Sequence, residues 1–509
     1  MPSLGARSPL RAALAGVLSA AAGLAVAELV AGLLGSARTP VVAVAEAVVA
    51  LTPGFLVELA IQAVGTADKP LLLAGVLLAL LGLSALAGVI SLRRRAYGQL
   101  FVTVLAAVGV AALLTRPQSG PLDVLSGVLG GLTGLVLLPL LVDAGERSPA
   151  PSVGPVPRRD FLRTALVVAV LASATGAVGR LLGGRRSGIE AARSALRLPA
   201  EPAALPAGVE LGVEGISPWR TPVDSFYRID TAIILPLVQP EEWRLRVHGE
   251  VDRELDLSLS DLLDQHEVID AWVTLSCVSN EVGGRLVGNA RWTGVRVADV
   301  LRRAGVRPEA DAVRSTSADG WTCGTPLEAL TDGRDALLAL AMDGRPLPVE
   351  HGFPVRMVVP GLYGFVSATK WLVDLEVTRF DRFAAYWTQR GWAEQAPAKT
   401  ASRIDVPRAG DSVPAGRVAV GGVAWAQHRG IEAVEVRVDE GPWARARLGG
   451  VPSVDTWRQW AWTWEATPGT HLLSVRAVDG DGVVQTGERA DPVPDGATGW
   501  HSVEVEVEA

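Results

Sequence analysis

From Leu10 to Leu182 the chain runs in long apolar stretches separated by short basic ones; beyond about residue 240 apolar and polar positions alternate at strand and helix periods. A bilayer takes ~20 apolar residues to cross as a helix. Five stretches satisfy that length and predict spans: Leu10–Leu34, Pro70–Leu92, Gln99–Thr115, Leu122–Val142 and Phe161–Leu182. Val41–Val64 carries Glu46, Pro53 and Glu58 and reads as an interfacial or re-entrant piece instead. Arg7 and Arg11 flank the start of the first span, Arg93, Arg94 and Arg95 lie between the second and third, and Arg158 and Arg159 precede the fifth. Basic flanks stay cytoplasmic, which puts everything after the fifth span outside; Arg180, Arg185 and Arg186 pull the other way. The run 158–163 reads equally as a twin-arginine-like export signal, internal and uncleaved, or as an ordinary basic flank.

Residues 1–183 therefore form a membrane domain, and 184–208, rich in Ala, Pro and Arg without alternation, reads as a linker. Over 209–398, Trp243, Leu245 and Val247 alternate with charged residues, as do Leu255, Leu257 and Leu259, which predicts half-buried strands. Ser260 is placed to cap a short helix over Asp261–His266. Val297, Val300, Leu301 and Ala304 follow a helical period that Gly305 ends. Strands and short helices mix without a βαβ rhythm, so this is an α+β domain. Over 399–509, Val418/Val420, Val434/Val436/Val438, Trp460/Trp462/Trp464, Leu473/Val475/Ala477 and Val503/Val505/Val507 each alternate, predicting an immunoglobulin-like β-sandwich. The tryptophan alternation there reads as sandwich core.

At 509 residues more than one domain is expected, since single cores stop growing at roughly 250–300 residues. The net charge is −7 and no basic run tracks a phosphate backbone, which argues against a nucleic-acid partner. All six histidines and both cysteines lie after residue 240, and Met1 is the only methionine of the membrane half. Ordinary haem-b ligation within the spans thus has no imidazole or thioether to use, and no haem is expected. No His, Cys and carboxylate set has the close spacing of a zinc site.

The chemistry concentrates in Thr274–Gly294. An apolar run through Ala271, Trp272 and Val273 breaks there into a glycine-bearing loop, with Cys277 at the transition. A single soft thiolate on such a loop is a plausible transition-metal ligand. A disulfide to Cys323, the other cysteine, is the alternative, and would make the loop structural in a non-enzymatic, membrane-tethered binding or adhesion protein. Three further loops carry polar groups: Ser317–Pro326 with Asp319, Leu347–Arg356 with His351 and Arg356, and Pro360–Trp371 with Ser367, Thr369 and Lys370. Backbone N–H groups, hydroxyls, Arg and Lys together suit a phosphate-bearing ligand.

The stretch from about Pro218 to Glu508 resembles the sulfite oxidase family of molybdopterin-dependent oxidoreductases, and the whole chain resembles its membrane-anchored actinobacterial-type branch. The residues that carry this are Phe226, Tyr227 and Arg228; Ser276, Cys277 and Asn280 with the glycine loop; His351 to Arg356; and Ser367, Thr369, Lys370 and Trp371. Gly421 to Trp425, Val434 to Asp439, and Trp500 with His501 are similar to the family's dimerisation domain. The resemblance implies one molybdenum-molybdopterin per chain, with Cys277 as the protein's thiolate on the metal. It further implies that Phe226, Tyr227, Arg228, Asp319, His351, Arg356, Ser367, Thr369 and Lys370 contact the cofactor, with Arg228 also facing an anionic substrate. The implied chemistry is two-electron oxygen-atom transfer on a small oxo-substrate, with a redox partner, a lipid-embedded anchor and a homodimer through the terminal domain. One departure stands out: sulfite-oxidising members carry a tyrosine near the metal after the aspartate loop, whereas this loop reads Gly320, Trp321, Thr322, Cys323, Gly324. That leaves sulfite open as the substrate, with a sulfoxide as the other choice.

Overall fold

The structure, a computed structural model, describes residues 9–33, 39–52, 67–115, 121–146, 188–198 and 204–508, with the single positions 56 and 170. The expected fifth span, the twin-arginine-like run and most of the re-entrant piece lie outside the described residues. Two compact units emerge, Met1–Gly188 with Ala232–Pro236, and Ile189–Thr231 with Leu237–Ala509.

In the first unit, α1 (Pro9–Leu33), α3 (Asp68–Ser91), α4 (Arg95–Leu114) and α5 (Pro121–Glu146) are long and apolar enough to cross a membrane, and α2 (Pro40–Leu51) is a shorter apolar helix. They coincide with the first four expected spans. Hydrocarbon gives no hydrophobic drive to helix association, so close backbone approach must supply it. A Cβ at Gly16 would overlap the Ser84 carbonyl and one at Gly88 the Ala12 carbonyl, so α1 and α3 meet at backbone contact. Gly23 and Gly130 do the same for α1 and α5. Leu78, Leu100, Val136 and Leu140 stand exposed on the outer faces, where lipid would cover them.

The second unit opens with an ordered segment where a tether was expected. The expected linker is helical over 188–195, Ile189 is fully buried, and Leu196 and Leu198 pack on the α+β core. Three apolar anchors in an otherwise small and basic stretch are enough to dock it, and Arg193 adds a 3.1 Å bond to the Pro346 carbonyl. The α+β domain has two sheets. In the first, β2 (Leu255–Ser258), β1 (Arg244–Gly249), β10 (Leu372–Thr378), β5 (Ala312–Ser317) and β6 (Thr322–Pro326) lie in that order. In the second, β3 (Val268–Ser276), β4 (Val287–Arg296), β7 (Leu337–Met342) and β8 (Arg345–Pro346) lie in order, and β9 (Arg356–Val358) also pairs with β7. Leu245, Val247, Leu338, Leu340, Met357 and Leu375 bury the shared core. Helix α6 (Leu259–Gln265) is capped by Ser258, not Ser260: the Ser258 hydroxyl accepts from Asp261 N–H, and the Asp261 carboxylate accepts from Ser258 N–H. Only Ser258 has its partner at the third helical position. Helix α7 (Val297–Ala304) ends on Gly305 at φ 74°, as its sequence requires.

The C-terminal region is β-rich. One sheet holds β11 (Ala401–Val406), β13 (Gly416–Trp425), β17 (Arg458–Ala466) and β16 (Arg447–Leu448). The other holds β12 (Ser412–Pro414), β19 (His501–Glu508), β18 (Gly469–Asp479), β14 (Ile431–Val438) and β15 (Ala444–Arg445). Both contribute to one core, Val420, Trp460 and Trp464 from the first sheet and Val434, Val475 and Val505 from the second. All five alternating stretches are strands, and Trp460 and Trp464 are core residues as expected.

Candidate active site

Cys277 lies one residue past the end of β3. The β3–β4 pairing closes at Ser276 opposite Val287, Cys277 N–H donates to the Leu286 carbonyl at 2.9 Å, and the residues between turn back on themselves. Asn280 pins the turn, its Oδ1 accepting from Leu286 N–H at 2.7 Å. The turn needs glycine at 283, which sits at φ 80°. Cys277 is 8% exposed, and burial pushes its thiol up in pKa, offset only in part by backbone and side-chain hydrogen bonds from Ser279. A buried neutral thiol of this kind becomes a thiolate when a metal takes its proton's place. Cys277 and Cys323 are both free, so the disulfide alternative is not realised.

Around the thiol the structure gathers most of the expected residues. The Phe226 ring stacks on Tyr227 with centroids 5.3 Å apart, and meets His351 and Trp292 edge-on at 5.7 Å each. Gly288 on β4 makes room for Phe226, since a Cβ there would come within 2.8 Å of the ring. Burial raises the Tyr227 phenol, the neighbouring Cys277 raises it further, and Arg356 pulls it back. Arg356 is 6% exposed and lies over Trp292 at 5.0 Å. Its guanidinium donates to the carbonyls of Met357, His351 and Ala368 at 3.3, 3.2 and 3.5 Å, and no carboxylate pairs with it among the described residues. Burial lowers its pKa to about 10. Lys370 Nζ is held by Asp230 Oδ2 at 2.8 Å and the Glu350 carbonyl at 3.2 Å, and Arg228 Nε meets the same Asp230 oxygen at 2.8 Å. Burial brings Lys370 down to about 8 despite Asp230. A Cβ at Gly352 would lie 3.0 Å from both Arg356 Cβ and Lys370 Cβ, so that glycine, at φ 109°, lets the two cations converge. Trp371 takes φ 49°, a conformation costing a bulky residue on the order of 1–3 kcal/mol. Its indole, buried and bonded to the Val349 carbonyl at 2.8 Å, holds it there.

Three of the expected residues bond within the domain's own loops and strands. Asp319 accepts from Trp321 N–H inside its own turn, and Ser367 Oγ donates to the Tyr363 carbonyl at 2.9 Å. Thr369 Oγ1 bonds Ser315 Oγ at 2.6 Å in a buried polar cluster with Cys323, whose thiol burial pushes up to about 11. Asp230, which holds Lys370, Trp292, which lies under Arg356, and Tyr363, near Cys277, belong to the site without any local sequence signal of it. Tyr227 and Tyr363 both lie within electrostatic reach of Cys277. Burial pushes the Tyr363 phenol up to about 12.

His351 is kept neutral, lowered to about 4 by burial and then by Arg356 and Lys370; His501 is lowered to about 4 by burial and Arg403. Each unfolded ring takes its proton near pH ~6.5, so between that and about 4 the unfolded chain binds protons that the folded chain refuses. Stability therefore falls as pH drops through this window, on the order of 2–3 kcal/mol per ring. His351→Gln and His501→Gln are each expected to flatten the fall of the melting midpoint between about pH 7 and 4.5. An unchanged slope would count against both assignments.

No group of three or more His, Cys, Asp and Glu side chains is arranged as a metal cage among the described residues. A metal at Cys277 would take its remaining ligands from a cofactor. A buried guanidinium that meets no carboxylate among the described residues, converging with a second buried cation, fits an anionic group.

The family described as oxidoreductase molybdopterin binding domain matches residues 232–387. Sulfite oxidase of Gallus gallus is 33% identical over 302 residues, covering 49% of this chain and 65% of that protein. An oxidoreductase of Bacillus subtilis (strain 168), YuiH, is 34% identical over 151 residues, covering 30% of this chain and 72% of that protein. Among solved structures, the sulfane dehydrogenase SoxCD from Paracoccus pantotrophus is 22% identical with a TM-score of 0.48, covering 62% of this chain and 95% of that one. The chain spans less than two thirds of the length of the chicken protein. With the molybdopterin-binding match lying over the domain that carries Cys277, and a 34% identical relative spanned over 72% of its length, the chain belongs to the sulfite oxidase family of molybdopterin-dependent oxidoreductases.

Proposed function

We propose that the protein is a membrane-anchored, extracytoplasmic oxidoreductase that holds one molybdenum-molybdopterin per chain and transfers an oxygen atom to or from sulfite, a related small oxo-substrate or a sulfoxide. The observation that carries this is Tyr227 lying within electrostatic reach of both the buried Cys277 thiol and Arg356, a buried cation that no carboxylate of the described residues neutralises. When bound, the cofactor supplies the two-electron chemistry. Cys277 is the protein's ligand to the metal. Arg356, Lys370 and His351 bind the anionic pterin and its phosphate, and His351, being neutral, donates or accepts a hydrogen bond without adding charge. Phe226 and Tyr227 form a wall that keeps water from the thiol. Arg228, more exposed than the other cations, receives the anionic substrate. Asp319, Ser367 and Thr369 shape the loops that hold these groups.

The rest of the organisation follows from the same reading. The four apolar helices and a fifth span over Phe161–Leu182 form the anchor, with the segment after about residue 183 on the outer side. The C-terminal domain is immunoglobulin-like and joins two chains as a dimer, electrons leave or arrive through a separate redox protein, and no haem takes part. The test is elemental and pterin analysis of full-length protein purified from a host able to make the cofactor. About one molybdenum and one pterin per chain is the expected result. Metal-free protein from such a host would sink the reading.

A further inference from the structure

We propose that the C-terminal two-sheet domain is a working part of the metal site, with Gln427 and Arg403 acting as positioning residues that hold the Cys277 hairpin from behind. This rests on the reading of Cys277 as the metal ligand, and gives the domain a role in every chain apart from any dimer.

The β3 strand is the edge of its sheet, yet near Cys277 that edge is covered. Thr274 N–H donates to the Asp455 carbonyl at 2.9 Å, and Trp457 N–H donates to Thr274 Oγ1 at 2.7 Å. Gln427 Nε2 reaches both the Thr274 carbonyl at 3.1 Å and Ser276 Oγ at 3.3 Å, the second being the residue next to Cys277. Gln427 is 1% exposed, and its own Oε1 has no hydrogen-bond partner among the described residues. A buried amide that leaves its acceptor unused is retained for its donor. The far side of the loop is held in the same way. Arg403 Nη1 donates to the Gly284 carbonyl at 2.6 Å while Nη2 bonds Ser217 Oγ at 2.9 Å and Nε pairs with Asp405 at 2.7 Å. The His501 ring fills the space where a side chain at Gly283 would lie, and its Nδ1 accepts from Ile404 N–H at 3.0 Å.

A lone protein thiolate has no neighbouring protein ligand to fix its direction, so the angle at which Sγ meets a metal is set by the hairpin. Partners one shell out typically change affinity or activity about 10–100-fold. Gln427→Met in the full-length protein keeps the side chain's length and removes the amide, whose oxygen has no partner to lose among the described residues. In cofactor-free protein, the rate of Cys277 alkylation by iodoacetamide, read on its own peptide by mass spectrometry, is expected to rise about tenfold. In loaded protein the thiolate-to-molybdenum absorption band is expected to shift and kcat to fall about tenfold, with KM, metal content and melting midpoint nearly unchanged. Arg403→Lys, which keeps the charge for Asp405 but cannot also span Gly284 and Ser217, is expected to move the same readouts less, and decides the matter if Gln427→Met does not fold. An unchanged alkylation rate and absorption band in folded variants would overturn the proposal. A wild-type protein without molybdenum would instead overturn the metal reading and leave the alkylation arm to decide whether the domain holds the hairpin.

Discussion

Cys277→Ser is expected to lower oxygen-atom transfer by roughly a hundredfold or more while the chain still folds. The two side chains differ by one atom, and the hairpin's own bonds, Cys277 N–H to Leu286 and Asn280 Oδ1 from Leu286 N–H, are made by groups that the substitution leaves in place. The metal chemistry changes far more, because a hydroxyl is a hard and weakly acidic donor where molybdenum would meet a soft thiolate. Turnover is read with sulfite and with a methionine sulfoxide as candidate substrates, beside the visible spectrum of the loaded protein. Loss of the thiolate band together with lost turnover is the expected pair. Wild-type turnover in the variant would remove Cys277 from the chemistry altogether. Loss of molybdenum as well as turnover would still place Cys277 at the metal, as a ligand the cofactor cannot do without.

The parts legible from the sequence are those governed by local rules. The α7 helix declares itself through Val297, Val300, Leu301 and Ala304 and a glycine that must take positive φ. The five alternating C-terminal strands declare themselves by period two at the positions facing their shared core, although β13 is buried on both faces from Val420 to Trp425. Cys277 stood out because an apolar strand ends in glycines. What the sequence hides is set by distant partners. Gln427 meets Ser276 across 151 positions, and nothing near residue 427 marks it as more than a loop amide. Asp230 becomes part of the site only when Lys370 arrives from 140 positions away. Tyr363 lay in a motif already singled out, but its nearness to Cys277 depends on how two loops stack. The docked helix over 188–195 is hidden because Ala-rich composition resembles a linker until Leu196 and Leu198, just beyond it, find a core to pack on.

Arg356→Met is expected to separate cofactor binding from folding. In cofactor-free protein the guanidinium is a buried charge with three carbonyl contacts of 3.2–3.5 Å and no counter-ion among the described residues. Burial of an uncompensated charge is costly, and its pKa of about 10, well below the arginine norm, registers that cost. Removing it relieves the desolvation and forfeits three long hydrogen bonds, two effects of similar size, on the order of 1–3 kcal/mol each way. The melting midpoint of cofactor-free protein should therefore change little. Loading reverses the balance. An anionic cofactor turns the same guanidinium into half of a charge-assisted pair, and truncating one partner of a buried pair costs ~2–5 kcal/mol. The variant should accordingly lose about a hundredfold or more in cofactor affinity, seen as molybdenum and pterin lost on dialysis, and should gain little melting temperature on loading. Arg356→Lys should rescue only part of the loss, since an ammonium cannot reproduce the planar fork that spans carbonyl and anion at once. A variant that keeps its cofactor but melts much lower would assign Arg356 to the fold, and the compensating anion would have to be sought at Arg228 and Lys370, where Asp230 already supplies a carboxylate.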